Sequence, residues 1–136
     1  MFTITEFDPF NADSQAWEDY FNFCKIISGN YSTKDEFKVW IKESLKRTKN
    51  QFKLIYQGHS LIIVIISFSK KDISGNEMSF IGLESIINEQ SKELSIIIAN
   101  AILQLTQVTS TRSFRISTAH PLIQEVMTGF SGMIIN

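Results

Sequence analysis

Residues 61–66 read Leu-Ile-Ile-Val-Ile-Ile, an apolar run with no polar position to turn toward water. A strand that packs on one face alternates apolar and polar residues, so an unbroken run calls for burial on both faces. The run is also far too short to cross a bilayer. It therefore describes an inner strand of a sheet covered on both sides. Its neighbours agree. Phe52–Tyr56 precedes it across the turn Gln57-Gly58-His59, and Met78–Ile87 follows it after the polar loop around Ser74-Gly75-Asn76. Short glycine-bearing loops between adjacent strands imply antiparallel hairpins.

The flanking segments supply the covering layers. Phe2–Phe7 alternates as a half-buried strand and ends at Asp8-Pro9. Asp13 or Ser14 can cap a helix to about Ile27, whose Trp17, Tyr20, Phe21, Cys24 and Ile27 recur at three and four on one face. Gly29-Asn30 stops it. Thr33 and Glu36 have capping-box spacing, and Phe37, Trp40, Ile41 and Leu45 share a face of the second helix, which closes over Lys46–Asn50. Residues 91–108 form the longest helix, with Leu94, Ile97, Ile98, Ala101, Ile102, Leu105 and Val108 as its core stripe and Asn100, Gln104 and Gln107 as its polar stripe. Ile96, Ala99 and Leu103 widen the apolar band, which implies either unusually deep burial or contact with another domain or subunit. Phe114–Ser117 is a short strand, His120-Pro121 opens a brief helix to about Thr128, Gly129 suits its C-cap, and Phe130–Ile135 begins a last strand. The 136 residues make one domain, of α/β (α+β) class on a mostly antiparallel sheet.

Charge and cysteine usage exclude several function classes. The net charge of −1 offers no footprint for nucleic acid. The four cations of Lys42–Lys49 fall at a helix end, where the dipole favours them. One cysteine rules out an intrachain disulfide, and Met1–Phe10 carries Glu6 and Asp8 rather than a signal peptide's apolar run. A cytoplasmic protein, neither membrane-bound nor nucleic-acid-binding, is expected. His59 sits in a tight turn, His120 at a helix start and Cys24 on a core face, so no metal-ligand spacing is visible.

The element order, with these residues, resembles the GNAT superfamily of N-acetyltransferases. The opening Ile4-Thr5-Glu6-Phe7-Asp8-Pro9 with Trp17 is similar to the start of many members, especially the first halves of tandem proteins. The Gln57-Gly58 turn is similar to the family's hairpin, the third strand of the meander runs into a long helix, and Ile116-Ser117-Thr118 followed by Gly129-Phe130 is similar to the family's ending. The resemblance implies helices on both sheet faces in the order β-α-α-β-β-β-α-β-α-β. It also implies that residues 1–136 form a GNAT-like domain lacking the family's final strand.

The resemblance further assigns an acetyl-CoA site. The family's loop, Gln/Arg-x-x-Gly-x-Gly/Ala, turns backbone N–H groups and a helix N-terminus toward the pyrophosphate. The matching stretch is Gln90, Ser91, Lys92, Glu93, Leu94 and Ser95. Gln90 and Ser95 fit, whereas Glu93 stands where the first glycine belongs. A carboxylate there repels phosphate by roughly 1–4 kcal/mol at effective dielectrics of about 80 to 20. Glu93 also favours the helix dipole as an ordinary first-turn acid. Glu84 lies on the strand that carries the family's general base. Glu125 stands near the place of the family's tyrosine acid, and no tyrosine follows Tyr56. The expectation is an acetyltransferase-like domain with a degraded loop, serving as a scaffold or interaction half. Its partner would be a second GNAT-like domain or a second copy, meeting the 91–108 helix or the C-terminal sheet edge. The alternatives are an active acetyl-CoA-dependent N-acetyltransferase with an atypical loop and an unrelated module that binds a partner at its sheet edge.

Overall fold

The computed structural model describes residues 1–29, 33–46, 49–71, 73–87, 91–107, 114–117 and 133–135. The elements are β1 (Phe2–Phe7), α1 (Ser14–Ser28), α2 (Lys34–Leu45), β2 (Lys49–Gln57), β3 (Ser60–Lys71), β4 (Glu77–Ser85), α3 (Lys92–Gln107), β5 (Phe114–Ser117) and β6 (Met133–Ile135). The six strands lie in chain order. The neighbouring pairs from β1 to β4 are antiparallel, while β4–β5 and β5–β6 are parallel. The short helix expected over 120–128 and the residues from Phe130 to Gly132 lie outside the described residues.

Local chemistry sets the boundaries. The Asp13 carboxylate accepts from the Ala16 N–H at 2.8 Å and starts α1. Gly29 ends it at φ +93°, its N–H donating to the Lys25 carbonyl at 2.9 Å. Thr33 caps α2 by accepting from the Glu36 N–H at 3.1 Å. The β2–β3 hairpin turns through Gly58 at φ +62°, a conformation that a side chain would strain.

The central run is buried from Leu61 to Ile65, with packing on both faces. A bulge interrupts it. Ile55 pairs with Ile63 but Tyr56 pairs with Leu61, so Ile62 is an extra residue on β3. Ile62 and Ile63 consequently both join the core on the α3 side, while Leu61 and Val64 join the core under α1 and α2. The Ile62 carbonyl accepts from the Ile86 N–H at 3.0 Å, tying the bulge to the chain that leaves β4.

The helix faces differ in detail from the spacing-based expectation. Phe23 is buried on α1, whereas Cys24 is half-buried and Ile27 is 36% exposed. On α2, Phe37 and Ile41 are buried but Trp40 is 57% exposed. On α3, Leu94, Ile98, Ala101, Ile102 and Leu105 are fully buried and Ile97 only partly. Each of the four large side chains among those five contributes about 1.5–3 kcal/mol of burial. The flanks of each stripe turn outward because a helix on a flat sheet buries a narrower arc than its apolar sequence offers.

Candidate functional site

The end of β4 and the start of α3 hold the residues that the sequence singles out. β4 pairs with β5 from Ser79 to Gly82 and with β3 as far as Ser85. Beyond Gly82, the outer edge of β4 has no strand partner among the described residues. A Cβ built on Gly82 would meet nothing within 4 Å, so the α1-side face of β4 is uncrowded at this position. Ser85 ends the strand locally: its hydroxyl donates to the Ile87 carbonyl at 2.8 Å and accepts from the Ile87 N–H at 3.1 Å.

Strand alternation sorts the side chains along this edge. Ile81 and Leu83 enter the core beneath α3. Glu84 therefore faces the α1 side, where it is exposed. Its charge reaches Cys24 on α1. Burial first, and Glu84's repulsion third, push the Cys24 thiol up to about 11, with a hydrogen bond from Tyr20 opposing them. Cys24 is thus a protonated, weakly nucleophilic thiol at neutral pH. On the same face the Tyr56 hydroxyl donates to Asp19 Oδ2 at 2.7 Å. Burial, then Asp19, push its phenol above the ordinary range.

The first turn of α3 is closed on itself. The Ser91 Oγ accepts from the Leu94 N–H and the Ser91 carbonyl accepts from the Ser95 N–H, both at 3.0 Å. Lys92 and Glu93 are exposed, Ser91 and Ser95 are half-buried, and the Leu94 side chain is fully buried in the core. Leu94 can offer a ligand only its backbone, and that N–H is already bonded. Gln90 lies outside the described residues. Glu84 and the Ser91–Ser95 turn stand on opposite sides of the sheet, bracketing the open β4 edge.

The Leu94 N–H at the start of α3 is thus held by the Ser91 cap, and the Glu93 carboxylate stands exposed in the same turn. Among the described residues no group of three or more His, Cys, Asp or Glu is arranged for a metal. No helix among them is long and apolar enough to cross a membrane.

One feature escaped the residue pattern. Lys53 on β2 is 5% exposed, and its Nζ donates to Glu6 Oε1 at 2.6 Å. The direct cross-strand pairing of Glu6 with Lys53 supplies the signal, but it becomes legible only once the β1–β2 register is known.

The architecture is that of solved acetyltransferases. It matches a Trypanosoma brucei acetyltransferase at TM-score 0.61, with 7% identity over 96% of this chain and 92% of that one. It matches a predicted acetyltransferase from Clostridium acetobutylicum, crystallised with acetyl-CoA, at TM-score 0.57, with 9% identity over 96% of this chain and 90% of that one. A ribosomal-protein-alanine N-acetyltransferase from Brucella melitensis biovar Abortus 2308 gives TM-score 0.56, 8% identity, and coverage of 96% and 89%. No family model and no curated protein matches the sequence. The chain is a GNAT-like domain in fold.

Proposed function

We propose that this chain is a non-catalytic GNAT-fold domain whose acetyl-CoA loop has been degraded, and that it serves as a scaffold or interaction half. The observation that carries the reading is the first turn of α3. Ser91 takes the Leu94 N–H for its own cap, and Glu93 replaces the glycine that phosphate would approach. Both changes favour the helix and disfavour an anion. The surface this role points to is the outward line of α3, where Ile96 and Leu103 are exposed two turns apart. A second GNAT-like domain or a second copy of this chain would cover it, in the cytoplasm, where the free thiol of Cys24 is at home.

A second reading is favoured by the open β4 edge beyond Gly82, with Glu84 exposed beside it. In that reading Glu84 is the base of an atypical N-acetyltransferase.

Calorimetric titration with acetyl-CoA and with CoA separates the two. The degraded-loop reading expects no binding to the wild-type chain up to about 1 mM and a measurable gain in Glu93→Gly, because removing the charge relieves roughly 1–4 kcal/mol of repulsion. Micromolar binding by the wild type overturns it and moves attention to amine acceptors and to Glu84→Gln.

A further inference from the structure

At the end of the sheet away from the α3 N-terminus, the structure forms a half-open pocket of about 670 Å³, within the usual range for small-molecule sites. It lies where β1 ends and β2 begins. Charged Glu6, Asp8 and Lys53 line it together with the amides Asn50, Gln51 and Gln104, and Phe10 and Phe52 form much of its apolar wall.

The chemistry of the polar wall is specific. Lys53 is nearly buried, yet an ammonium has three N–H donors to satisfy. Among the described residues one donor is used, by Glu6 Oε1 at 2.6 Å. The two remaining donors border the pocket, so a ligand acceptor placed there can be bonded by Lys53. Glu6 is the opposite case. Its side chain is 81% exposed, and one carboxylate oxygen is committed to Lys53. Asp8 is held in place by the Phe10 N–H on Oδ1 at 3.0 Å and the Asn11 side-chain amide on Oδ2 at 2.6 Å. Two carboxylates against one ammonium leave the wall with a net negative charge.

These requirements select a ligand. A simple anion would satisfy Lys53 but meet repulsion from Glu6 and Asp8. A simple amine would meet the carboxylates but make no use of the remaining Lys53 donors. A carboxylate and an ammonium borne on one carbon match a lysine and a glutamate that already lie side by side. Phe10, 56% exposed, offers the apolar contact. We propose that this pocket binds a free α-amino acid with an apolar side chain, its carboxylate on Lys53 and its ammonium on Glu6 and Asp8. The site is independent of the acetyl-CoA loop and stands whether or not CoA binds.

The test is a titration of the isotope-labelled chain with L-leucine, followed by amide NMR shifts. Leucine is expected to give saturable shifts at Phe10, Lys53 and Gln104 and none at Ser91–Ser95. 4-Methylpentanoate, which keeps only the acid, and isopentylamine, which keeps only the amine, are expected to bind at least about tenfold more weakly, as is leucine to Glu6→Gln. Lys53→Met should abolish binding. If that variant fails to fold, Glu6→Gln carries the test, because Glu6 is exposed. Absence of saturable shifts with leucine and with phenylalanine at about 10 mM overturns the proposal, and so does equal binding of leucine and isopentylamine.

Discussion

The two faces of the sheet are packed by different chemistry. Beneath α3 the core is aliphatic: Ile55, Ile63, Ile65 and Ile81 meet Leu94, Ile98, Ile102 and Leu105, all fully buried but none aromatic. Beneath α1 and α2 the core is a ring cluster. Phe7 meets Trp17 edge-on at 5.1 Å, and Phe37 lies 5.3 Å from Phe21, 5.5 Å from Tyr20 and 6.3 Å from Trp17. Branched aliphatic chains interdigitate closely and leave little room for polar atoms. An aromatic cluster also takes tyrosines, whose hydroxyls seek a hydrogen-bond partner when buried. The aromatic face therefore admits the Tyr56–Asp19 hydrogen bond, the half-buried Cys24 and the exposed Glu84. The aliphatic face turns polar only at its far end, where Lys53, Ser67 and Ser69 are buried. In this chain the α3 face is dry along its middle and polar at the pocket end, whereas the α1–α2 face mixes rings with polar groups.

Three perturbations sharpen that contrast. The largest effect is expected from Phe37→Ala, which removes the ring at the centre of the aromatic cluster. It should cost about 3–5 kcal/mol in urea unfolding, since the surrounding rings cannot collapse into the space. A loss below about 1 kcal/mol would mean that the cluster is loosely packed and the contrast false. Ile98→Val tests the aliphatic face with one methyl group and should cost about 0.5–1.5 kcal/mol. The smallest effect is the alkaline limb of stability. The Cys24 thiol ionises near its ordinary value of 9.0 in the unfolded chain and near about 11 in the folded one. The folded state therefore keeps its proton longer, so stability is full below about pH 9 and falls as pH rises toward 11. Urea midpoints at about pH 8 and about pH 10 should diverge less in Cys24→Ala than in the wild type. An equal divergence would place Cys24 in a wetter setting than the ring cluster describes. Tyr56, also pushed up by burial, acts in the same direction in both proteins.

Much of this was legible in the residues. The caps at Asp13 and Thr33, the stop at Gly29, the Gly58 hairpin and the doubly buried run all follow from interactions within a few residues. The candidate site was legible only in outline. Glu93 and Ser91 could be placed at the start of a helix, but that the Ser91 hydroxyl holds the Leu94 amide depends on a rotamer and a helix start that spacing alone leaves open. Glu84 could be placed on a strand, yet the side it faces depends on the parity of that strand against its neighbours.

Periodicity, charge and turn chemistry are local properties, and by themselves they determined the elements, their order and the identity of the inner strand. Only the tertiary structure decided which arc of each helix meets the sheet, and so turned Phe23 inward and Trp40 outward. It alone placed the Ile62 bulge and opened the β4 edge beyond Gly82. It also set Glu6 opposite Lys53, forty-seven positions away in the chain. Each of these is a matter of register between segments distant in sequence. A shift of one residue in register reverses every side chain on a strand, and only packing against the rest of the molecule selects between the two.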